Sequence, residues 1–499
     1  MKSIAHLSLD LGASSGRALV GVLTDGPRKL QLEDLHRFEH LACPTPAGPV
    51  WDLTGIWQNI LLGLQKSAAW CADQGLELRS VGVDTWGVDW VLIGKSGELL
   101  ALPHCYRDPQ NDAACQRVLD RLGGFDKLYS RTGIQSMSLN TLFQVAARFE
   151  KEPRLFDAAA RLIFLPDLFH FWLSGELSTE RTIASTSSML NIHTRDWDYE
   201  LLKQLGLPTH ILGTIHEPGT PLGKIRQEVA EATGASPQLQ VILPPSHDTA
   251  SAVAAVPATA DQSWAYLSSG TWSLLGAEID APVTSDAARE VPFTNELGLG
   301  GKVRFLKNIA GLWLLQELRR ELEQQGDRRD YVELVAEAER AEPLRTLVDP
   351  NHAEFAAPGN MAEKIRRFAR ESRQPIPDSV GQLIRCCLES LAYCYRQTID
   401  QLESVQGSSI KVLHLVGGGS KNRLLNQLTA AAVGRPVVCG PVEATAVGNL
   451  LVQALGCGEI ADHQELRQIV ARSFELETID QSEQLADESL ARYQAIVNQ

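Results

Sequence analysis

Two short turns carry the residue types that a bound phosphate needs. The first is Asp10-Leu11-Gly12-Ala13-Ser14-Ser15-Gly16-Arg17, directly after the apolar run Ile4-Ala5-His6-Leu7-Ser8-Leu9. A strand, an Asp-x-Gly, a small hydroxyl turn and a second strand make a β-hairpin in which Gly12 and Gly16 let backbone N–H groups approach oxygens closely. Ser14, Ser15 and Arg17 add donors, and Asp10 is placed to hold a metal ion through water. The second turn, Tyr266-Leu267-Ser268-Ser269-Gly270-Thr271-Trp272-Ser273-Leu274-Leu275-Gly276, repeats the pattern near mid-chain. Two such hairpins predict a nucleotide clamped between two domains.

A third turn fits the same chemistry. The apolar run Val412-Leu413-His414-Leu415-Val416 ends in Gly417-Gly418-Gly419 and Ser420 opens a predicted helix, so a flat ring or a phosphate can lie against bare backbone. It is neither a dinucleotide fingerprint nor a Walker loop. The strongest candidate catalytic carboxylate is Asp248, in Ser246-His247-Asp248-Thr249-Ala250-Ser251-Ala252, between a buried-looking strand and a small-residue helix. A carboxylate there can orient a substrate hydroxyl and accept its proton during phosphoryl transfer. The plainer reading is a helix N-cap.

Asp84-Thr85-Trp86-Gly87-Val88-Asp89-Trp90 mixes carboxylates and indoles around one glycine. Carbohydrate sites use such mixtures, and so do tight hairpins with core tryptophans. Asn308, after Leu306-Lys307, and Gln316 lie at and within a helix expected over 308–323; a cap and a solvated position are their plain readings. His6, His36, His104 and His352 have no metal-ligand spacing and read as structural.

These residues need elements to hold them. Apolar strands are expected near 4–10, 17–23 and 32–40, a helix from Thr54 to Cys71, and a strand pair over 81–84 and 88–93. A mainly helical insertion spans 111–215, before a strand at 241–244 and a helix from Asp248 to Val256. Pro257-Ala258-Thr259-Ala260-Asp261 is the expected boundary, dividing the chain into two halves, 1–257 and 258–499. The second half repeats the order with the hairpin, helices at 308–323 and 378–405, a strand at 411–416 and a helix at 420–433. The charged interval 324–377 is expected to be a lid or a peripheral region.

Composition sets outer bounds. A chain of 499 residues is long enough for more than one core. A net charge of −15 argues against nucleic-acid or anionic-membrane partners. Nine cysteines without a C-x-x-C pair suggest neither a disulfide framework nor zinc, and Cys386, Cys387 and Cys394 read as buried thiols in a helix. The absence of a secretory apolar segment, and of any run near the ~18 residues of a membrane span, makes the cytoplasm the expected location.

Taken together, the five segments around Asp10, Asp84, Asp248, Thr271 and Asn308 resemble the FGGY carbohydrate kinases, within the larger group that includes actin and the heat-shock ATPases. The resemblance runs from about residue 4 to 460. It implies an α/β fold of two actin-like (ribonuclease H-like) domains, each a mixed sheet flanked by helices, around a central ATP/sugar cleft. It further implies transfer of the ATP γ-phosphate to O1 of L-rhamnulose with Mg²⁺. By that resemblance Asp248 is the proton acceptor, and Gly87, His247, Asp248, Thr249 and Asn308 surround the sugar. Ala13, Ser14, Ser15, Gly16 and Arg17 line the phosphate end, while Thr271, Gln316 and Gly418 touch ATP. Ala13, where many of these kinases carry Thr, favours the rhamnulose branch over glycerol or xylulose kinases. Another ketose, such as L-fuculose or a pentulose, and an actin-like binding ATPase are the alternatives. The expected partner is a small ketose, the expected state a monomer or homodimer.

Overall fold

The computed structural model describes residues 4–24, 28–259, 262–480 and 487–498. The chain forms two compact units. The first takes Met1–Pro257, Glu278–Phe305 and Ala444–Ser473; the second takes Ala258–Ala277, Leu306–Glu443 and Phe474–Gln499. The first segment closes at Pro257, and the first unit then takes back two later stretches of chain. Ala260 and Asp261 of the expected boundary lie outside the described residues.

The first unit is built on a six-stranded mixed sheet. Its order is Pro221–Lys224, Gln240–Ile242, Glu77–Thr85, Ile4–Leu11, Ser15–Leu23 and Leu30–Glu39. The strand Ile4–Leu11 is buried throughout after Ile4, as a central strand covered on both faces must be. It runs parallel to Glu77–Thr85, which runs parallel to Gln240–Ile242, so the carboxyl ends of three strands share one edge. Ligands of open α/β sheets gather at such edges.

Helix Leu53–Asp73 covers this sheet with Ile56, Ile60 and Leu64 and is capped by Asp52, whose side chain accepts from Gly55 N. Helix Ala444–Gly456 packs against Ile4–Leu11, Glu77–Thr85 and helix Asp248–Ala254. The last approach requires Gly448, because a Cβ there would run into the Ser251 carbonyl. This apolar helix carries two amides one turn apart. Gln453 Nε2 donates to Leu7 O at 2.9 Å, and Asn449 Nδ2 donates to Asp84 Oδ2.

The expected strand pair over 81–84 and 88–93 is not a hairpin. Glu77–Thr85 stays in the main sheet, whereas Trp90–Gly94 pairs with Ala159–Phe164 in a separate ribbon. Val88, at φ 70°, turns the chain out of the first sheet.

In the second unit Trp264–Ser269 pairs antiparallel with Ser273–Ile279 and parallel with Val412–Val416, which continues to Val437–Cys439 and Glu477–Ile479. Helix Val380–Gln406 starts at a capping box of Ser379 and Gln382 and ends at Gly407 in the left-handed region. It buries Cys386, Cys387 and Cys394, as its apolar spacing predicts, and burial pushes the Cys386 thiol up to about 12. The 324–377 interval holds helices Tyr331–Arg340 and Met361–Glu371.

The helix expected over 308–323 begins later, at Trp313, and Asn308 lies in the strand Val303–Ile309. Gly311, at φ 48°, separates the two elements, and β-branched Val303 and aromatic Phe305 favour the strand at its start.

Candidate active site

Three segments of the first unit meet at the carboxyl edge of its sheet. Trp86 N donates to Leu11 O at 3.1 Å and Thr85 N to Ser246 O at 2.9 Å, with Thr85 bridged to His247. Asp10 and Asp84 are register partners on adjacent parallel strands. Asp84 is fully buried, and its Oδ1 has no hydrogen-bond partner among the described residues. Burial pushes its carboxyl well up, and the charges of Asp10 and Asp248 push the same way. A buried orphan oxygen among three carboxylates fits a divalent cation and its water shell better than it fits protein alone.

In the phosphate-type hairpin, Ser14 and Ser15 are exposed and Ala13 and Arg17 half-buried, while Gly16 is buried. Arg17 Nη2 and Nε both donate to Asp10 Oδ2. Asp248 is the first residue of helix Asp248–Ala254 and not its cap, which is His247. Thr249 N and Oγ1 both donate to Asp248 Oδ1, the latter at 3.1 Å, and the side chain keeps 29% exposure. Burial pushes the Asp248 carboxyl up, with Asp10 adding to it, and His247 and Thr249 draw it back. One oxygen is thus anchored and the other left for a ligand.

A Cβ added at Gly87 would lie 3.4 Å from His247 Nε2 and 3.5 Å from Thr186 Oγ1, so these three residues share one small space. The sequence brings Gly87, His247, Asp248 and Thr249 together as expected in position, and the structure adds Thr186. Asp89 is different. It is buried and accepts from two indoles, Trp51 Nε1 at 2.6 Å and Trp86 Nε1 at 2.8 Å, so it holds the fold and not a sugar hydroxyl.

The remaining candidates belong to the second unit and are described within it. Thr271 lies in the hairpin between Trp264–Ser269 and Ser273–Ile279, where Gly270 N donates to Trp272 O. Trp313 N donates to Thr271 O at 3.2 Å, which sets the start of the Gln316 helix against that hairpin. The triple glycine opens a 3-10 turn, Gly418–Lys421, and not the expected α-helix; that helix begins at Arg423 under an Asn422 cap. Its N–H groups are therefore partly satisfied by protein, whereas a Cβ at Gly418 would meet nothing within 4 Å. Gly418 presents open backbone beside a hairpin bearing Thr271, the surface a nucleotide needs.

Besides Thr186, three site-supporting residues escaped the sequence reading: Asn449, Glu296 and Arg304. Asn449 had a signal, its i, i+4 spacing with Gln453 in an otherwise apolar helix. Glu296 and Arg304 had none, because their partner His247 is distant in sequence.

Comparison with known proteins places nearly the whole chain in one family. The profile of the FGGY family of carbohydrate kinases, N-terminal domain, matches residues 5–255, and that of the C-terminal domain matches 265–457. The chain is similar to the rhamnulokinase of Bacteroides thetaiotaomicron, 43% identical over 94% of each chain. It is also similar to that of Oceanobacillus iheyensis, 39% identical over 95% of this chain and 97% of that one. Among solved structures it superposes on a ligand-bound xylulose kinase from Lactobacillus acidophilus with TM-score 0.78 at 16% identity, over 99% of this chain and 96% of that one. Plasmodium falciparum glycerol kinase with ADP gives TM-score 0.78 at 16% identity, over 100% and 97%.

Proposed function

The chain belongs to the FGGY family of carbohydrate kinases, and from that premise we propose that it transfers the γ-phosphate of ATP to O1 of L-rhamnulose, giving L-rhamnulose 1-phosphate and ADP. The observation that carries the chemistry is the state of Asp248, with one oxygen held by Thr249 and the other left open.

In this reading the sugar O1 attacks the γ-phosphorus as the bond to the ADP oxygen breaks, and the hydroxyl proton passes to Asp248. Alignment and charge neutralisation dominate such a transfer, so a positioned carboxylate is sufficient as acceptor. Gly87 leaves room for the sugar, and His247, Thr249 and Asn308 supply polar contacts to it. The exposed Ser14 and Ser15, with Ala13, Gly16 and Arg17, take the phosphates; Thr271, Gln316 and the bare backbone of Gly418 take the nucleotide. Mg²⁺, held through water by Asp10, would neutralise charge on the phosphates. The protein is proposed to act in the cytoplasm as a monomer or homodimer, without nucleic-acid or membrane partners. No helix among the described residues is long and apolar enough to cross a membrane.

ADP release with Mg-ATP across L-rhamnulose, L-fuculose, L-ribulose, D-xylulose and glycerol tests the substrate. Preference for L-rhamnulose is expected, and preference for another sugar overturns the assignment while keeping the kinase. In parallel, Asp248→Asn is expected to abolish transfer with ATP affinity nearly intact; wild-type turnover in that variant removes Asp248 from the mechanism.

A further inference from the structure

Behind His247 sits an ion pair to which the proposed reaction gives no task. Arg304 is completely buried. Its Nε donates to Leu297 O at 3.3 Å, its Nη2 donates to Glu296 Oε2 at 2.8 Å, and the same Nη2 lies 3.1 Å from His247 Nδ1. Its Nη1 is buried with no partner among the described residues. A wholly buried guanidinium with one nitrogen unsatisfied is costly, and apolar residues of similar volume would serve packing as well. The arrangement therefore points to what the guanidinium does for its neighbour.

A guanidinium has donors only. The ring nitrogen it approaches must accept, which in the neutral imidazole leaves the single ring proton on Nε2. Glu296 Oε2, 3.3 Å from Nδ1, competes as an acceptor for a proton there. Arg304 wins on two grounds. It is the nearer group, and Glu296 Oε2 already accepts the charge-assisted bond from the same Nη2. The proton on Nε2 then faces Asp248 Oδ1, 3.3 Å away, and the space over Gly87.

We propose that Arg304, neutralised by Glu296, is a positioning residue that fixes His247 as the Nε2–H tautomer. The site then has one proton acceptor, Asp248, and beside it one fixed donor, His247 Nε2–H. The donor suits an oxygen of the ketose that keeps its lone pairs available, the carbonyl or a ring oxygen, and it cannot take the proton of the attacking hydroxyl. Discrimination between ketoses then depends on whether an acceptor oxygen faces Nε2. This rests on the placement of His247 and Asp248 in the sugar site.

The test begins with the ring nitrogens. In full-length protein labelled with 15N-histidine, the His247 signals are those lost in His247→Asn. The Nε2–H pattern is expected, and an Nδ1–H pattern overturns the proposal whether or not any ketose is turned over. The double variant Arg304→Met/Glu296→Met removes the pair without stranding a charge. It is expected to show both tautomers, and to raise KM for the ketose a few-fold to about tenfold, the scale of one lost hydrogen bond to the sugar. KM for ATP should stay within about twofold. An unchanged ketose KM overturns the positioning role. If no ketose is phosphorylated by the wild type, the substrate reading fails, and the tautomer spectrum still decides this inference.

Discussion

Arg17 closes on Asp10 through Nε at 2.8 Å and Nη2 at 2.6 Å, both to the single oxygen Oδ2, across the antiparallel register of the first hairpin. The pairing is charge-assisted and sits at the mouth of the turn proposed to hold phosphates. It screens one of three neighbouring carboxylates at the proposed phosphate site, and on that proposal the guanidinium would serve phosphate affinity through Asp10 as well as directly.

Arg17→Met should therefore raise KM for ATP about tenfold or more, on the scale of one lost hydrogen bond to a charged group, and leave KM for the sugar within a few-fold. Steady-state kinetics at saturating Mg²⁺ reads both constants. An unchanged KM for ATP would place the nucleotide phosphates elsewhere.

His170 gives a pH prediction. Its Nε2 accepts from Val83 N at 2.9 Å, next to Asp84, and burial lowers the ring to about 3. The unfolded chain, with an ordinary histidine, takes up a proton that the folded ring refuses. The stability contribution is complete above about pH 6.5 and is lost as pH falls from there toward 3, at roughly 1.4 kcal/mol per pH unit. His170→Gln, which keeps an acceptor for Val83, should lack this contribution, so its stability relative to the wild type should rise as pH falls below about 6.5. Urea melts of both proteins between pH 4 and 7 measure it, and equal slopes would show that His170 does not titrate as its burial requires.

Much of the candidate site was legible in the sequence because its parts are local. A strand ending in Asp-x-Gly with hydroxyls, or Asp248 ahead of a small-residue helix, declares itself within a few residues. The misplaced parts were set by longer-range effects. Trp90–Gly94 leaves the first sheet because Val88 takes a positive φ and Ala159–Phe164 supplies a partner. The 84–90 segment reads either as a carbohydrate site or as a tight hairpin until Trp51, distant in sequence, is seen donating to Asp89. Asn308 moved from helix cap to strand because Gly311 breaks the chain between the two elements. Arg304 and Glu296 have no local signature at all, since a buried ion pair is visible only through the side chain it holds.

Adjacent glycines in the 417–419 turn should respond differently to one methyl group. At Gly418 a Cβ meets nothing within 4 Å, whereas at Gly419 it would collide with Ser269 Oγ and Cβ. Gly419→Ala should lower stability by about 1–3 kcal/mol, the usual cost of overpacking. Gly418→Ala should melt like the wild type and bind ATP more weakly, since a methyl would cover the backbone proposed to face the nucleotide. Thermal melts with and without Mg-ATP separate the two. A wild-type ATP affinity in Gly418→Ala would remove this turn from the nucleotide site.

Asp89 opposes His170 over most of the same pH range. Burial pushes its carboxyl up to about 7 in spite of the bonds from Trp86 and Trp51. A folded value above the unfolded one means the folded state binds the proton more readily, so stability is greatest below about pH 4 and falls as pH rises toward 7. Between pH 4 and 6.5 the histidine slope and the aspartate slope have opposite signs and similar size, and the wild type should show little net dependence there from this pair. Asp89→Asn keeps an amide oxygen for the two indoles and cannot ionise. Relative to the wild type it should gain stability as pH rises from 4 to 7, by at most about 4 kcal/mol for a three-unit shift. His170→Gln should show the reverse trend, gaining relative to the wild type as pH falls. Chemical denaturation of the two variants beside the wild type at pH 4.5, 6 and 7.5 would show curves that diverge in opposite directions; parallel curves would mean that neither buried group changes its charge on unfolding.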